Sequence, residues 1–260
     1  MNLFGSSPQH HYFFRMSLRP AIFFWTVQSV YLKKNEDRRI KQGHIWVYSN
    51  EVDTKRSPLA AYSPGENVQV RRTDGQILGS GTINGHSLIA IRLHAFRPDL
   101  RLEEVLEARL EQALALRSSF FADPYYRLVN AEGDGLPGLI IDRYADLAVV
   151  QLNAAGVDSL KTQIISWIGA HGMKNIYVRN QSAAREREGL LAYAEEHGSV
   201  GETGVVQENG CRYYFSIKSG QKTGWFYDQR RNRARALELL RGGDVLDLFS
   251  YVGGFGLLLA

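Results

Sequence analysis

Short apolar runs separated by glycine-bearing turns dominate the first third of this 260-residue chain. From about residue 26, the segments 45–48, 67–71, 77–79 and 88–92 are rich in Val, Ile and Leu, and Ser63-Pro-Gly65, Thr73-Asp-Gly75 and Asn84-Gly85 punctuate them. That punctuation predicts short strands, and their close spacing predicts a compact β-barrel. After residue 100 the period lengthens. Leu102, Leu106, Leu110, Leu114 and Phe121 recur on one helical face and Glu103, Glu104, Glu107 and Glu111 take the other, which predicts an amphipathic helix lying on a core.

Strand chemistry returns between residues 127 and 152, where 139–144 and 147–152 flank the turn at Ala145-Asp146 and predict a hairpin. A helical period over 157–168 and an apolar strand at 175–179 complete a strand-strand-strand-helix-strand unit. Arg185-Glu-Arg-Glu188 balances its own charge and predicts a solvated helical turn. Asn209-Gly210 sets a second hairpin over 205–217, and a polar helix over 229–240 should end at Gly242-Gly243. The apolar run 244–249 then predicts a strand that feeds Gly253, Gly254 and Gly256 and a following helix. Glycines there let backbone approach a ligand, and a helix start presents free N–H groups to it.

Composition narrows the class. With 44% apolar residues the chain is globular. A single cysteine, Cys211, excludes a disulfide framework and a multi-cysteine zinc site, so no metal is expected and a reducing cytoplasm is the expected setting. Its place just after a hairpin turn makes Cys211 a packing residue rather than a nucleophile. The apolar run Ala21-Ile-Phe-Phe-Trp-Thr-Val27 is too short to span a membrane and no small-residue cleavage site follows it, so no membrane partner is expected. Residues 1–25 are expected to be a disordered or mistranslated leader, with initiation at Met16 or near Val27. Net charge is +4, but residues 26–98 hold eleven Lys/Arg against six Asp/Glu. Lys33, Lys34, Arg38, Arg39 and Lys41 form a basic run, with Arg71-Arg72 beside it in type; such a run is either a solvated face or a phosphate contact.

Residues 219–230 join the second hairpin to the polar helix and bring glycine, cation, hydroxyl, aromatics, acid and guanidinium together, as a pocket wall would. Lys222-Thr-Gly lacks the spacing of a nucleotide-triphosphate loop. Asp228 could instead cap the helix that follows. Asp247 could order its own turn or reach a ligand, and Phe249 and Tyr251 could be core or ligand contacts.

Lys222-Thr-Gly-Trp-Phe-Tyr-Asp-Gln-Arg230, followed by Val245-Leu-Asp-Leu-Phe-Ser-Tyr-Val-Gly-Gly-Phe255, resembles the cofactor entry of class I S-adenosylmethionine-dependent large-subunit ribosomal RNA methyltransferases. These are the 5-methylcytosine enzymes with an N-terminal PUA domain. Gly43-His-Ile-Trp-Val-Tyr-Ser-Asn50 resembles the opening of that PUA barrel, and Gly133-Asp-Gly-Leu-Pro-Gly-Leu-Ile-Ile-Asp-Arg-Tyr144 resembles the family's linking domain. The blocks keep the family's order from about residue 39 to the C-terminus. The resemblance implies a mixed α/β multidomain chain: a leader (1–25), a PUA-like RNA-binding β-barrel (26–98), an α/β linking domain (99–200) and the beginning of a Rossmann-like methyltransferase domain (201–260).

It further implies S-adenosyl-L-methionine as cofactor and ribosomal RNA as partner, with a homodimer as the candidate assembly. Phe249, Ser250, Tyr251, Gly253 and Gly254 would line the methionine and ribose side, and Thr223, Trp225, Phe226, Asp228 and Arg230 would close the site, with Asp247 beside it. Lys33, Lys34, Arg38, Arg39, Lys41, His44 and Trp46 would touch RNA. Carbon-5 methylation needs a thiolate that adds to the base. In the family that cysteine follows the point where this sequence stops, so no catalytic residue is expected here. The chain is expected to be an inactive C-terminal truncation whose Val245, Leu246, Leu248 and Leu257 to Leu259 lack partners. The alternatives are a non-catalytic RNA-binding protein and a methyltransferase acting on another base position.

Overall fold

A computed structural model of the chain describes residues 27–240 and 242–260, so the leader lies outside the described residues. The first sheet comprises β1 (Gln28–Tyr31), β2 (Trp46–Val47), β3 (Glu66–Arg71), β4 (Ile77–Ile83) and β5 (Ile91–Ala95), ordered β1-β3-β4-β5-β2. β1 runs parallel to β3 and the other pairs are antiparallel. Val30, Val47, Val68, Val70, Ile83, Ile91 and Leu93 meet in its core. The predicted barrel does not close. β2 is only two residues long before the Glu51 carboxylate accepts the Tyr48 N–H at 2.7 Å and turns the chain away, and a single Leu32–Val52 bridge reaches across. The helical turn α1 (Arg38–Lys41) lies between β1 and β2.

The second sheet is ordered β10-β9-β8-β7-β6: β6 (Tyr125–Asn130), β7 (Leu139–Tyr144), β8 (Leu147–Leu152), β9 (Asn175–Asn180) and β10 (Tyr193–His197). Only β8 and β9 are parallel, as a helical crossover requires. That crossover is two helices, α3 (Ala155–Ser159) and α4 (Lys161–Ala170), rather than the single helix predicted; the chain breaks at Leu160. Gly156 in α3 packs directly on Thr82 of β4, where an added Cβ would come within 2.4 Å of the hydroxyl. The long helix α2 (Leu102–Phe120) and α4 cover one sheet face through Leu102, Leu106, Leu110, Ile164, Trp167 and Ile168.

Successive strand residues point to opposite faces. Leu139, Ile141, Val150 and Val178 therefore join that core, while Tyr144, Val149 and Tyr177 face the other way and join Tyr213, Phe215 and Trp225. Burial on both faces explains why these strands read as continuous apolar runs. The hairpin β11 (Thr203–Glu208) and β12 (Cys211–Ser216) forms around Asn209-Gly210 as predicted and covers the second face. α6 (Arg230–Leu239) follows.

Three further sequence expectations are overturned. Arg185 and Glu188, expected on a solvated turn, are 2% and 3% exposed. Within and after α5 (Ala183–Arg187), Arg185 binds Asp158 at 2.7 Å, while Glu188 accepts from Arg92 at 2.9 Å, Ser87 at 2.6 Å and Asn84 at 3.1 Å on the first sheet. The same contacts hold Asn84 and Ser87 in a turn, so β5 starts at Ile91 and Leu88 is 79% exposed instead of heading a strand. The predicted strand at 244–249 is likewise not formed. A strand needs a hydrogen-bonding neighbour, and this stretch has none among the described residues; Leu246, Leu248 and Phe249 are exposed. Val245 and Leu257 are exposed too, but Leu258 of the helical turn α7 (Gly256–Leu259) is buried. Among the described residues no helix is long and apolar enough to cross a membrane.

Glu188→Ala should lower stability by about 3 kcal/mol in urea unfolding, because it strands the Arg92 guanidinium, 13% exposed, without its carboxylate. His94, buried on β5 and bonded through Nε2 to the Leu100 carbonyl at 2.7 Å, has its pKa lowered by burial. The unfolded chain takes up that proton first, so His94 contributes stability above its ordinary pKa of 6.5 and the contribution is lost as pH falls below it. His94→Gln should flatten the dependence of the urea midpoint on pH across that window.

Candidate functional site

The loop between β12 and α6 is held from two sides by buried carboxylates. On β7, Asp142 is fully buried, is paired to Arg127 at 2.9 and 3.0 Å, and accepts the Thr223 hydroxyl at 2.5 Å. The Tyr144 hydroxyl two residues on donates to the Thr223 carbonyl and accepts the Trp225 N–H, each at 3.1 Å. Burial raises the Tyr144 pKa well above its ordinary 10, which keeps this donor protonated. On β11, Glu208 accepts from the Trp225 indole at 3.0 Å, Arg230 Nε at 3.0 Å and Arg233 Nε at 2.6 Å. Arg233 also donates to the Phe226 carbonyl at 2.9 Å and lies over the Trp225 ring.

The clamped loop meets the 247–255 turn, and together they line an open cavity of about 270 Å³. Trp225, Phe226, Asp247, Phe249, Ser250, Tyr251 and Gly254 all line it. Tyr251 ties the two segments together: its hydroxyl accepts the Gln221 N–H at 3.0 Å and donates to the Gly224 carbonyl at 3.1 Å, with its ring edge-on to Phe226. Asp247 accepts the Gly256 N–H at 2.8 Å and so orders the turn while bordering the cavity. Gly254 makes the floor; an added Cβ there would stand 3.1 Å from the Trp225 ring and 3.5 Å from Arg233.

Other expected site residues lie elsewhere. Thr223 is buried against Asp142, and Arg230 turns away to Glu208 and the Tyr125 carbonyl. Asp228 is exposed, does not border the cavity and caps no helix; Gln229 stands at the α6 N-cap. Gly253 is in the left-handed region at φ 74° but outside the lining. Sequence reasoning missed Asp142, Glu208, Arg233, Gln221 and Gln229. A single acid inside an otherwise apolar strand was the available signal for Asp142, since an isolated buried charge needs a partner.

On the first sheet the basic run is partly neutralised. Lys41 and Arg72 share Asp37 at 2.6 and 3.1 Å, and the Lys41 hydrogen bond lowers the Asp37 pKa. Arg39 pairs with Glu51 at 3.2 Å and reaches His44 at 2.7 Å. The Trp46 indole donates to Glu132 at 3.1 Å, bridging to the chain segment after β6. Lys33 donates to the Asn50 carbonyl at 2.7 Å. Lys34 and Arg38 remain exposed without an acidic partner among the described residues. Among those residues, no group of three His, Cys, Asp or Glu could hold a metal ion.

A PUA-like domain family matches residues 30–96, the stretch that builds the first sheet. Ribosomal RNA large subunit methyltransferase I of Aliivibrio fischeri is 35% identical over 239 residues, covering 88% of this chain and 59% of that protein. Its counterpart in Vibrio cholerae is 34% identical over 235 residues, covering 88% and 58%. The chain thus spans 59% or less of the length of these two relatives. A candidate SAM-dependent methyltransferase from Streptococcus mutans shares the fold with TM-score 0.72 at 20% identity, over 90% of this chain and 60% of that one. A candidate methyltransferase solved in complex with SAH gives TM-score 0.70 at the same identity and coverage.

Glu208→Ala should leave two guanidiniums and an indole without their acceptor, lowering stability by about 3 kcal/mol. The same substitution should shift Trp225 fluorescence to the red as the ring, 2% exposed here, reaches water.

Proposed function

We propose that this chain carries the RNA-gripping and cofactor-facing part of an S-adenosylmethionine-dependent methyltransferase that acts on large-subunit ribosomal RNA, with carbon 5 of a cytosine as the target. The observation that carries this reading is the cavity where the 221–233 loop meets the 247–255 turn. Its residues suit the group: Trp225, Phe226 and Tyr251 offer aromatic faces that attract a sulfonium, the Asp247 carboxylate adds negative charge, and Gly254 leaves room for backbone approach. When bound, the cofactor supplies an electrophilic methyl group. The task of this chain's residues is orientation: the Asp142 and Glu208 clamps fix the aromatic wall before any ligand arrives, so little ordering remains to be done on binding.

The names and fold of the relatives support methyl transfer to ribosomal RNA. Carbon 5 as the target rests on the resemblance of the 222–230 and 245–255 segments. Thr223 and Arg230 serve as positioning residues in this reading, and Phe249, Ser250 and Gly253 belong to the turn that faces the cofactor. The PUA-like match over 30–96 and the uncompensated Lys34 and Arg38 support RNA contact through the first sheet. The segments 26–98, 99–200 and 201–260 would divide the work between RNA contact, linkage and cofactor binding, in the cytoplasm.

Titration with S-adenosylhomocysteine, followed by Trp225 fluorescence, should saturate. Gly254→Val, which places a branched side chain against the Trp225 ring at the cavity wall, should weaken binding about ten-fold, equivalent to about 1.4 kcal/mol. Absence of saturable binding to the wild-type chain would sink the cofactor reading. A methyl group mapped by mass spectrometry to an atom other than cytosine carbon 5, in rRNA treated with the whole enzyme, would overturn the choice of target.

A further inference from the structure

A second and larger cavity, of about 610 Å³, opens between the end of α2 and the tip of the β11–β12 hairpin. None of the site residues discussed above lines it except Glu208 and Arg230. Its walls are of three kinds. The Phe120 ring is 71% exposed with no ring partner among the described residues, whereas Phe121 is stacked on Tyr126 at 5.4 Å and capped by the Arg230 guanidinium at 4.7 Å. Arg212 is an exposed cation without an acidic partner among the described residues. Asn209, whose Nδ2 donates to the Arg230 carbonyl at 3.3 Å, and the exposed, unpaired Asp123 bring an amide oxygen and a carboxylate.

We infer that this cleft holds an unpaired nucleotide of the RNA. Single-stranded nucleic acid is bound where an aromatic face takes the base, a cation takes the phosphate, and amide or carboxylate groups meet the base edge. Phe120, Arg212, and Asn209 with Asp123 supply those parts in turn. A duplex would keep its bases stacked and out of reach of Phe120. The cleft also adjoins the proposed cofactor cavity through one carboxylate: Glu208 holds Arg230 on this side and Arg233 on the other. A nucleotide seated here would lie next to the clamp that positions Trp225, and would extend the RNA path beyond the basic surface of the first sheet.

The inference rests on the RNA reading above, and one experiment separates the two. Fluorescence anisotropy with a short single-stranded oligoribonucleotide and with a hairpin duplex is measured across a salt series for the wild type, Phe120→Ala, Arg212→Ala and Lys174→Ala. Lys174, exposed in the turn before β9, controls for loss of charge alone. Phe120→Ala and Arg212→Ala should weaken single-strand binding about ten-fold. Arg212→Ala should also reduce the slope of log K against log salt by about 0.7, and Lys174→Ala should change neither. All three positions are exposed, so melting curves should match the wild type. Wild-type binding that persists undiminished in Phe120→Ala and Arg212→Ala, or that favours the duplex, overturns the cleft while leaving the RNA reading in place. A wild-type chain that binds neither RNA removes the RNA reading and the cleft with it.

Discussion

One buried carboxylate organises the C-terminal half of the described chain. Glu208 stands at the tip of the hairpin, 5% exposed, facing two guanidiniums and an indole. A buried charge is tolerated only when its hydrogen-bonding capacity is filled. Trp225, Arg230 and Arg233 fill it only if the hairpin, the loop and α6 adopt their places together, so the three elements are coupled in forming. Asp142 repeats the device from the sheet, where Arg127 neutralises it and Thr223 takes a remaining lone pair. Between these two acids the loop has little conformational freedom, and the aromatic wall of the cavity inherits that rigidity.

The same logic joins the two sheets. Glu188 of the second unit is satisfied by three side chains of the first, Trp46 reaches Glu132, and α3 packs Gly156 on Thr82 without a side chain between them. Polar groups buried at such a junction fix one relative arrangement, because any sliding would leave at least one charge unpaired. The basic surface near Lys34 and Arg38 is thereby held at a set distance and direction from the aromatic cavity. The proposed function, with RNA held at one place and a cofactor at another, depends on that fixed geometry.

Local sequence determined much of this protein. Apolar runs mark β3, β4, β7, β8 and β9, the 3.6-residue period marks α2, and Asn209-Gly210 marks the hairpin, because each depends on backbone preferences and on which face meets water; β1 and β10, Gln-Ser-Val-Tyr and Tyr-Ala-Glu-Glu-His, carry no such run and went unpredicted. The two segments at 219–230 and 244–256 were recognisable as pocket-forming from their residue types alone, and the structure does bring Trp225, Phe226, Ser250, Tyr251 and Gly254 to one cavity.

What the sequence alone could not settle was where each charge finds its partner. Arg185-Glu-Arg-Glu188 looks balanced within itself, yet Arg185 and Glu188 are buried because Asp158 and Arg92, distant in sequence, meet them. Thr223 and Arg230 look like ligand contacts, yet Asp142 and Glu208 claim them. The strand expected at 244–249 is absent and the first sheet stays open, since ladders depend on a neighbour rather than on the strand's own residues. Backbone preference and hydrophobic pattern are local and can be read along the chain. The pairing of buried charges and the closing of sheet edges are long-range, so only the tertiary structure decided them.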